Sequence, residues 1–238
     1  MVEMSLVEAI LEVKRAPAHG LPDYDKYSQD KVKQRADAAH YLSKHGTIME
    51  LYAGEGNLSE KVYSKLNPRR MVLVDDDEEA LNKAQQRLAD VRAAKHFYPM
   101  NNEKFIKEKA KLFRDTSLVD FDAYGSPGRT IQLFFDNFKV RQPMIVALTD
   151  GFPIHIHRWK DPSPGATNGP ADTDYIEMYS LKSLPAPTLG EVCQMHDVMM
   201  KNIGRRVHFK SWRLNRAFGG QSGRVVYAAY LIRPFAKP

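Results

Sequence analysis

Apolar and polar residues follow two different periods along this chain. Seven short apolar or β-branched runs have the length of strands, and they cover residues 47–50, 71–74, 96–98, 118–122, 144–150, 207–214 and 225–232. Between several of them apolar residues recur at helical spacing, over residues 29–44, 58–66, 80–91 and 189–203. Strands that alternate with helices are typical of a parallel sheet covered by helices. The pattern therefore predicts an α/β protein.

The last two predicted strands depart from this alternation, because no helix separates them: the connection is residues 215–224, which contain the Gly-rich stretch 218–223. Together the strands and helices predict a Rossmann-like fold: a seven-stranded, mostly parallel sheet with helices on both faces. One such domain accounts for residues 29–238, after an N-terminal arm over residues 1–28. Residues 161–174, rich in Pro, Gly and Asp, are typical of an exposed loop, either a lid or a substrate-contacting insertion.

A glycine turn joins the first predicted strand to the helix after it. Gly54 and Gly56 allow the backbone to approach a ligand where a Cβ would collide. A pyrophosphate-binding turn carries a third glycine three residues after the second, and here that position is Ser59. Glu50, at the end of the strand, repels a pyrophosphate but suits a cofactor that carries an ammonium and a sulfonium. The pattern favours S-adenosylmethionine; the alternative is an ordinary β–α turn without a ligand.

Further candidates for cofactor contacts lie in this turn and at the ends of the next two strands. Tyr52 belongs to the turn itself. Asp75 ends the second strand, where a carboxylate accepts hydrogen bonds from ribose hydroxyls, and Asp76 lies beside it. The acids that follow also complement the dipole of the next helix. Asn101 follows the third strand, and its side chain either hydrogen-bonds the adenine or caps the next helix.

The loop after the fourth strand carries an acid and an aromatic residue, at the edge where open α/β sheets bind ligands. The lone pair of an exocyclic base amine is delocalised into the ring, so the nitrogen attacks poorly. Asp122 and the Ala123 carbonyl would accept its two N–H groups and localise the lone pair, while Tyr124 stacks on the base. We predict Asp122, also next to the cofactor, and Tyr124 as catalytic residues. The alternative is a Gly-Ser-Pro turn with a capping acid.

Residues 120–127 read Asp-Phe-Asp-Ala-Tyr-Gly-Ser-Pro and resemble the D-x-D-P-Y-G-S-P signature of the tRNA (guanine-N2)-dimethyltransferases. The strand MIVALTD at residues 144–150 resembles the next strand of that family, and the turn ELYAGEG resembles the cofactor loop of several RNA methyltransferases. The resemblance implies a class I S-adenosylmethionine-dependent methyltransferase that acts on guanine N2 in RNA. It also implies that the sheet closes with an antiparallel C-terminal strand pair. Gly125, Ser126 and Pro127 would then contact the substrate together with Ala123.

The chain departs from this family in three respects. Ala123 replaces the signature proline, and Asn101 replaces the usual adenine-binding acid. The chain is also shorter than the two-domain enzymes of the family, so we expect a partner protein to supply RNA-binding surface that a C-terminal domain supplies there. Phe152, after the fifth strand, is a candidate to stack on the far side of the base.

Charge is unevenly distributed along the chain, whose formal net charge is +6. No acid follows Asp197, while nine cations do: Lys201, Arg205, Arg206, Lys210, Arg213, Arg216, Arg224, Arg233 and Lys237. A surface of one sign raises the local potential and attracts polyanions. This basic C-terminal third predicts a nucleic-acid partner, RNA rather than DNA by the resemblance; the alternative is solvated edges of terminal strands.

Composition excludes several classes of protein. The single cysteine, Cys193, excludes an intrachain disulfide and a cysteine-based metal cluster. The N-terminus lacks a signal-peptide pattern, and no apolar run approaches the roughly 18–20 residues of a membrane span. We therefore expect a cytoplasmic protein without membrane contact. His155 and His157 alternate without a clear third ligand, so no metal site is predicted.

Two rival functions fit the same sequence. The first is a small-molecule methyltransferase of the same fold, which would lack the steep salt dependence of nucleic-acid binding. The second is a module that binds a cofactor or nucleic acid without catalysis. Ala123 and Asn101 are compatible with such a module, but Asp122 argues against it because a silent domain has no need of that acid.

Overall fold

A computed structural model of the protein describes residues 24–123, 125–151, 189–219 and 225–235. The strands are β1 (Thr47–Leu51), β2 (Arg70–Asp75), β3 (Ala94–Pro99), β4 (Thr116–Asp122), β5 (Met144–Asp150), β6 (Phe209–Gly219) and β7 (Val225–Pro234). The helices are α1 (Tyr24–Ala39), α2 (Asn57–Lys61), α3 (Glu78–Arg87), α4 (Asn102–Glu108), α5 (Gly128–Asn137) and α6 (Leu189–Val207). Short 3-10 turns at Tyr63–Leu66 and Ala110–Leu112 follow α2 and α4.

The seven strands form one sheet in the order β3-β2-β1-β4-β5-β7-β6. Strands β1 to β5 are parallel, and β7 runs antiparallel between β5 and β6. This confirms the predicted fold class: a mostly parallel sheet that ends in an antiparallel C-terminal pair. The chain leaves β1 in one direction towards β2 and returns on its other side with β4, so the order of strands reverses at β1.

Two apolar layers cover the two faces of the sheet. Successive side chains of a strand point to opposite faces, and in β1 Ile48 belongs to one buried cluster while Met49 belongs to the other. The first cluster packs α1, α2 and α3 against the sheet, and the second packs α4, α5 and α6. We call these the α1 face and the α5 face. Helices therefore cover both faces, as the sequence predicts.

Some boundaries differ from the prediction. The helix predicted over residues 29–44 begins earlier, at Tyr24, and ends at Ala39. Helix α5 was not predicted, although Ile131, Phe134 and Phe135 are buried at helical spacing. Strand β6 continues to Gly219, into a segment predicted as a loop, because its last residues pair with the start of β7.

Several predictions concern residues outside the described ranges. These are most of the N-terminal arm, Tyr124, Phe152, His155, His157 and the loop over residues 161–174. Among the helices of the described ranges, none is long and apolar enough to cross a membrane.

Candidate functional site

Three of the acids predicted from the sequence lie at the carboxyl-terminal edge of the sheet. Glu50 is the fourth residue of β1, Asp75 ends β2 and Asp122 ends β4. In open α/β sheets, ligands bind at this edge where the strand order reverses. That point is the carboxyl end of β1, between β2 and β4. The topology therefore brings the predicted cofactor and catalytic residues to one crevice.

The glycine turn after β1 has the backbone conformation that the sequence requires. Gly54 and Gly56 have φ angles of 50° and 72°, in the left-handed region. A Cβ on Gly56 would lie 2.9 Å from the Cβ of Ala84, so this glycine allows α3 to pack closely. A Cβ on Gly54 would meet no atom of the described residues within 4 Å. Gly54 therefore borders open space, where a ligand has room to approach the backbone.

Tyr52 fastens the turn to the α5 face of the sheet. Its φ angle of 61° is unusual for a residue with a side chain. Its backbone N–H donates to Asn102 Oδ1 at 3.2 Å, and its phenol shares a hydrogen bond of 2.7 Å with Thr130 Oγ1. Burial raises the pKa of Tyr52, so the phenol stays neutral. Asn102 was not predicted, and nothing in its local sequence distinguishes it from Asn101.

Glu50 is a buried acid that forms no ion pair with any described residue. Its side chain is 2% exposed, and Ser59 donates a hydrogen bond to Oε2. Burial, together with the nearby charges of Asp120 and Asp122, raises the pKa of Glu50 to about 8. A cation that entered the crevice would be attracted by the ionised form. Glu50 therefore suits the positively charged cofactor that the sequence predicts.

Asp75 shapes the turn from the neighbouring strand. Its Oδ2 accepts from the Gly54 N–H at 2.8 Å, and its Oδ1 accepts from the Asp77 N–H at 3.0 Å. Each carboxylate oxygen has two lone pairs, so both retain one for a ribose hydroxyl. Asp76 is exposed, and Asp77 caps α3 by accepting from the Ala80 N–H. The ribose role of Asp75 remains a prediction, and its contact with Gly54 ties it to the cofactor turn.

Asn101 is the N-cap of α4. Its Oδ1 accepts from the backbone N–H groups of Glu103 at 2.9 Å and Lys104 at 3.3 Å. This bears out the capping alternative and occupies the oxygen that would accept from the amino group of adenine. The adenine contact of Asn101 stays a prediction.

Asp122, the predicted catalytic acid, is held by two side chains. Lys31 Nζ, from α1, lies 3.0 Å from Oδ1 and 2.7 Å from Oδ2. Thr149 Oγ1, from the neighbouring strand β5, donates to Oδ1 at 2.6 Å. Burial opposes the charge on Lys31, but Asp122 outweighs it and raises the pKa of the ammonium. The carboxylate is therefore fixed in orientation at the edge of the crevice.

A buried ion pair lies next to this site on the α1 face. Arg35 Nε donates to Asp120 Oδ2 at 2.8 Å, and Arg35 Nη2 donates to Asp120 Oδ1 at 2.9 Å and Thr149 Oγ1 at 3.0 Å. Tyr63 also donates to Asp120. The side chains of Arg35 and Asp120 are completely buried. This network joins α1 to β4 and β5, directly beside the residues that hold Asp122.

The sequence did not predict Lys31, Arg35 or Thr149 as site residues. Lys31 and Arg35 are four residues apart and so lie on one side of α1. They flank the apolar stripe that contains Ala36 and Ala39, and two cations beside a buried stripe are the signal that sequence reading could have used. Their acidic partners are distant in sequence and become visible only in the fold.

Hydrogen bonds hold the described residues of the loop after Asp122 in place. The Gly151 N–H donates to the Gly125 carbonyl at 3.1 Å, and Ser126 Oγ accepts from the Gly128 N–H at 3.2 Å. Ala123 is 5% exposed, and Pro127 is buried at the start of α5. The loop thus joins the ends of β4 and β5, which places its backbone along the crevice.

A second buried pair lies on the α5 face. His196 Nε2, from α6, is 2.6 Å from Asp150 Oδ2 at the end of β5, and both side chains are at most 1% exposed. The pair anchors α6 to the edge of the sheet that carries the site. Within the described ranges, no three His, Cys, Asp or Glu side chains form a group that could hold a metal ion.

No protein-family model and no curated protein matches this chain. Solved structures do match its fold. The N-methyltransferase NodS from Bradyrhizobium japonicum, in complex with S-adenosyl-L-homocysteine, has a TM-score of 0.55 at 13% identity, covering 96% of this chain and 99% of that chain. A Pyrococcus horikoshii protein proposed to be an RNA methyltransferase has a TM-score of 0.53 at 12% identity, covering 98% of each chain.

A third similar structure is the plantazolicin methyltransferase BpumL, also in complex with S-adenosyl-L-homocysteine. Its TM-score is 0.51 at 17% identity, covering 96% of this chain and 99% of that chain. These likenesses establish that the chain has the fold of class I S-adenosylmethionine-dependent methyltransferases. They agree with the enzyme class and the cofactor that the sequence predicts.

Proposed function

We propose that the protein transfers a methyl group from S-adenosylmethionine to an exocyclic amine of a nucleic-acid base, guanine N2 in RNA. The observation that carries this proposal is the position of Asp122. It is a fixed carboxylate at the end of β4, next to the end of β1 where the glycine turn begins. An amine acceptor and a cofactor crevice thus share one edge of the sheet.

The residues around the crevice suit the cofactor. Gly54 borders open space at the turn, Asp75 keeps free lone pairs near it, and Glu50 is a buried acid without a cationic partner within hydrogen-bonding distance among the described residues. A glycine cradle and two acids fit a ligand with a ribose and two positive charges. When bound, S-adenosylmethionine supplies an electrophilic methyl group, because its sulfonium releases a neutral thioether, which is a good leaving group.

Asp122 retains one acceptor position for the target amine. An ionised carboxylate offers about four lone-pair positions. Among the described residues, Lys31 and Thr149 use the positions at Oδ1, whereas Oδ2 accepts a hydrogen bond only from Lys31. The second lone pair of Oδ2 can therefore accept an N–H of the amine and hold its nitrogen towards the methyl carbon. The predicted acceptor for the other N–H is the Ala123 carbonyl.

The step is a single displacement. The nitrogen lone pair forms the new N–C bond, the C–S bond breaks with its electrons on sulfur, and the amine proton passes to Asp122 and then to solvent. Positioning provides most of the acceleration, since the leaving group needs no further activation. Hydrogen bonds from the amine to Asp122 and Ala123 localise the lone pair during the attack.

The choice of guanine N2 in RNA depends on two features of the sequence. The segment at residues 120–127 resembles the signature of tRNA (guanine-N2)-dimethyltransferases, and the C-terminal third carries nine cations and no acid after Asp197. A partner protein that adds RNA-binding surface is part of the proposal. A small-molecule substrate is the second candidate, because the plantazolicin methyltransferase BpumL shares this fold.

Transfer of labelled methyl groups tests the proposal. The protein is incubated with methyl-labelled S-adenosylmethionine and, in parallel, unmodified tRNA, rRNA and DNA. We expect label in an RNA pool, with binding that weakens steeply as salt increases, because phosphate contacts release counterions. If no pool is labelled while calorimetry shows that the cofactor binds, the nucleic-acid substrate is wrong.

A further inference from the structure

A pocket of about 430 Å³ lies far from the cofactor crevice. Its walls come from the 3-10 turn after α4 and from the segment between α5 and β5. Leu112 and Phe138 provide apolar surface, and four cations surround it: Lys111, Arg114, Lys139 and Arg141. No acid is among its lining residues. The pocket is therefore a concave surface of one charge.

The four cations have no counter-ion in the part of the chain that the structure describes. All four are exposed, and none of them makes a side-chain hydrogen bond or ion pair with a described residue. Of the three nearest acids in sequence, Asp115 pairs with Arg69 at 2.6 Å and Asp136 pairs with Arg206 at 2.6 Å. The third, Glu108, is exposed and makes no ion pair with any of the four cations. The positive potential of the pocket is therefore not neutralised by its surroundings.

The pocket lies at the amino-terminal edge of the sheet. Arg114 is two residues before β4, and Arg141 is three residues before β5, its neighbour in the sheet. Asp122 lies at the opposite end of β4, seven residues long. At about 3.3 Å per residue the two edges are roughly 20 Å apart. A single nucleoside at Asp122 cannot reach the pocket, whereas a structured RNA can.

We propose that the pocket formed by Lys111, Arg114, Lys139 and Arg141 binds backbone phosphates of the substrate RNA at a distance from the methylated base. The proposal rests on the proposed function for its choice of RNA. Exposed lysines and arginines that converge on a concavity are typical phosphate contacts, and two of the four are guanidinium groups that bind phosphate through two N–H groups. The site adds to the basic C-terminal third, from which it is distinct in sequence.

Two double variants with equal changes in charge test this proposal. R114Q/K139Q removes two cations from the pocket, and K65Q/R92Q removes two exposed cations outside it. Binding of a fluorescent unmodified tRNA transcript is measured by anisotropy from about 0.05 to 0.3 M salt. Each phosphate contact contributes about 0.7–0.9 to the slope of log K against log[salt]. We expect R114Q/K139Q to lose about 1.4–1.8 of this slope and at least about tenfold in affinity.

The matched variant K65Q/R92Q should stay within about twofold of the unsubstituted protein. Equal effects of the two double variants would show that only net charge matters and would overturn the proposal. Inorganic phosphate, added at constant ionic strength, distinguishes the source of the phosphate. If phosphate at a few millimolar displaces the tRNA from the pocket as completely as unlabelled tRNA does, the pocket binds free phosphate and the RNA claim is wrong.

Methyl transfer and cofactor binding separate this proposal from the proposed function. Selective loss of tRNA binding in R114Q/K139Q supports the pocket even if no RNA accepts a methyl group, in which case the proposed reaction fails alone. Methylation of RNA that is unchanged in rate and salt dependence in this variant overturns the pocket alone. Binding of S-adenosyl-L-homocysteine, measured by calorimetry, should be the same in all three proteins.

Discussion

Lys31 Nζ lies 2.7 Å from Oδ2 of Asp122, although 91 residues separate the two side chains in sequence. The contact joins α1, at the start of the described chain, to the end of β4. Both side chains are only partly exposed, at 23% and 16%. Lys31 thus positions the acid that we propose accepts the target amine, and helix α1 becomes part of the site.

Replacing Lys31 by Met tests this positioning role. Without the ammonium, the hydrogen bond from Thr149 is the one that Asp122 keeps among the described residues, so the carboxylate can rotate away from the amine. A hydrogen bond to a charged group contributes about 1.5–3 kcal/mol. We expect the rate of methyl transfer to fall by about 10- to 100-fold, while the dissociation constant of S-adenosyl-L-homocysteine changes by less than about threefold.

Lys31→Arg is the matched control, because it keeps a cation that can reach Asp122. It should retain more activity than Lys31→Met. If Lys31→Met is as active as the unsubstituted protein, Lys31 does not position the acid. If it is more active, Lys31 blocks the acid.

The raised pKa of Glu50 predicts a dependence of stability on pH. The folded pKa of about 8 exceeds the ordinary value of 4.5. The contribution of neutral Glu50 is therefore complete below about pH 4.5 and is lost as the pH rises towards 8. Within this window the free energy of unfolding falls by up to about 1.4 kcal/mol per pH unit.

The variant Glu50→Gln lacks the titrating carboxyl group at residue 50. Every other titrating group is the same as in the unsubstituted protein. In urea unfolding at pH 5.5 and 7.5, the variant should gain stability relative to the unsubstituted protein, by about 2–3 kcal/mol between the two values. If the difference in free energy of unfolding between the two proteins is the same at pH 5.5 and 7.5, Glu50 does not titrate in this range. S-adenosylmethionine should also bind more tightly at pH 8 than at pH 6, and Glu50→Gln should lose this dependence.

Replacing each glycine of the turn by Ala should affect different properties: Gly56→Ala mainly the folding stability, and Gly54→Ala mainly the cofactor affinity. Both have positive φ, which costs a residue with a Cβ about 1–2 kcal/mol. Gly56→Ala also forces a contact with Ala84 and should lose about 3 kcal/mol of stability. Gly54→Ala should lose only about 1 kcal/mol but weaken S-adenosyl-L-homocysteine binding at least about tenfold, since its Cβ points into open space. Unfolding and calorimetry measure both, and cofactor affinity within twofold for Gly54→Ala would place the ligand elsewhere.

The buried pair of Arg35 and Asp120 should be essential for docking α1. Removing one partner of such a pair leaves a buried charge without compensation and costs about 3–5 kcal/mol. We expect Arg35→Met to lower the free energy of unfolding by this amount. Arg35→Met/Asp120→Asn should recover at least about half, because the new amide carries no charge and its oxygen still accepts from Tyr63. If the double variant is no more stable than Arg35→Met, the loss comes from packing and not from charge.

Much of the fold was accessible from the sequence because its signals are local. Strands β1, β2, β4 and β5 are largely buried on both faces and read as apolar runs, whereas β3 is partly exposed. The glycines of the turn follow β1 closely. The same applies to Glu50, Asp75 and Asp122, which lie at or next to the carboxyl ends of strands and therefore converge at one edge. Periodicity also marked α3, whose buried residues are Leu81 and Ala84.

The remaining features depend on contacts between distant segments. The extent of β6 is set by pairing with β7, and the α1 helix ends at Ala39 where the chain turns towards β1. The partners of Asp122 come from α1 and β5, and no local pattern links Lys31 or Thr149 to that acid. Asn101 and Asn102 are adjacent residues of the same type, so the sequence does not tell their roles apart. In the fold, Asn102 accepts a hydrogen bond from the backbone N–H of Tyr52.

The most direct test of the account is the identity of the methylated nucleoside. Unmodified tRNA is methylated with labelled S-adenosylmethionine by the unsubstituted protein and by Asp122→Asn, and the RNA is digested to nucleosides. We predict label in N2-methylguanosine with the unsubstituted protein, and at least about 100-fold less with Asp122→Asn, at a cofactor affinity changed by only a few-fold. Label on another atom, or full activity of Asp122→Asn, would contradict the proposed role of this acid.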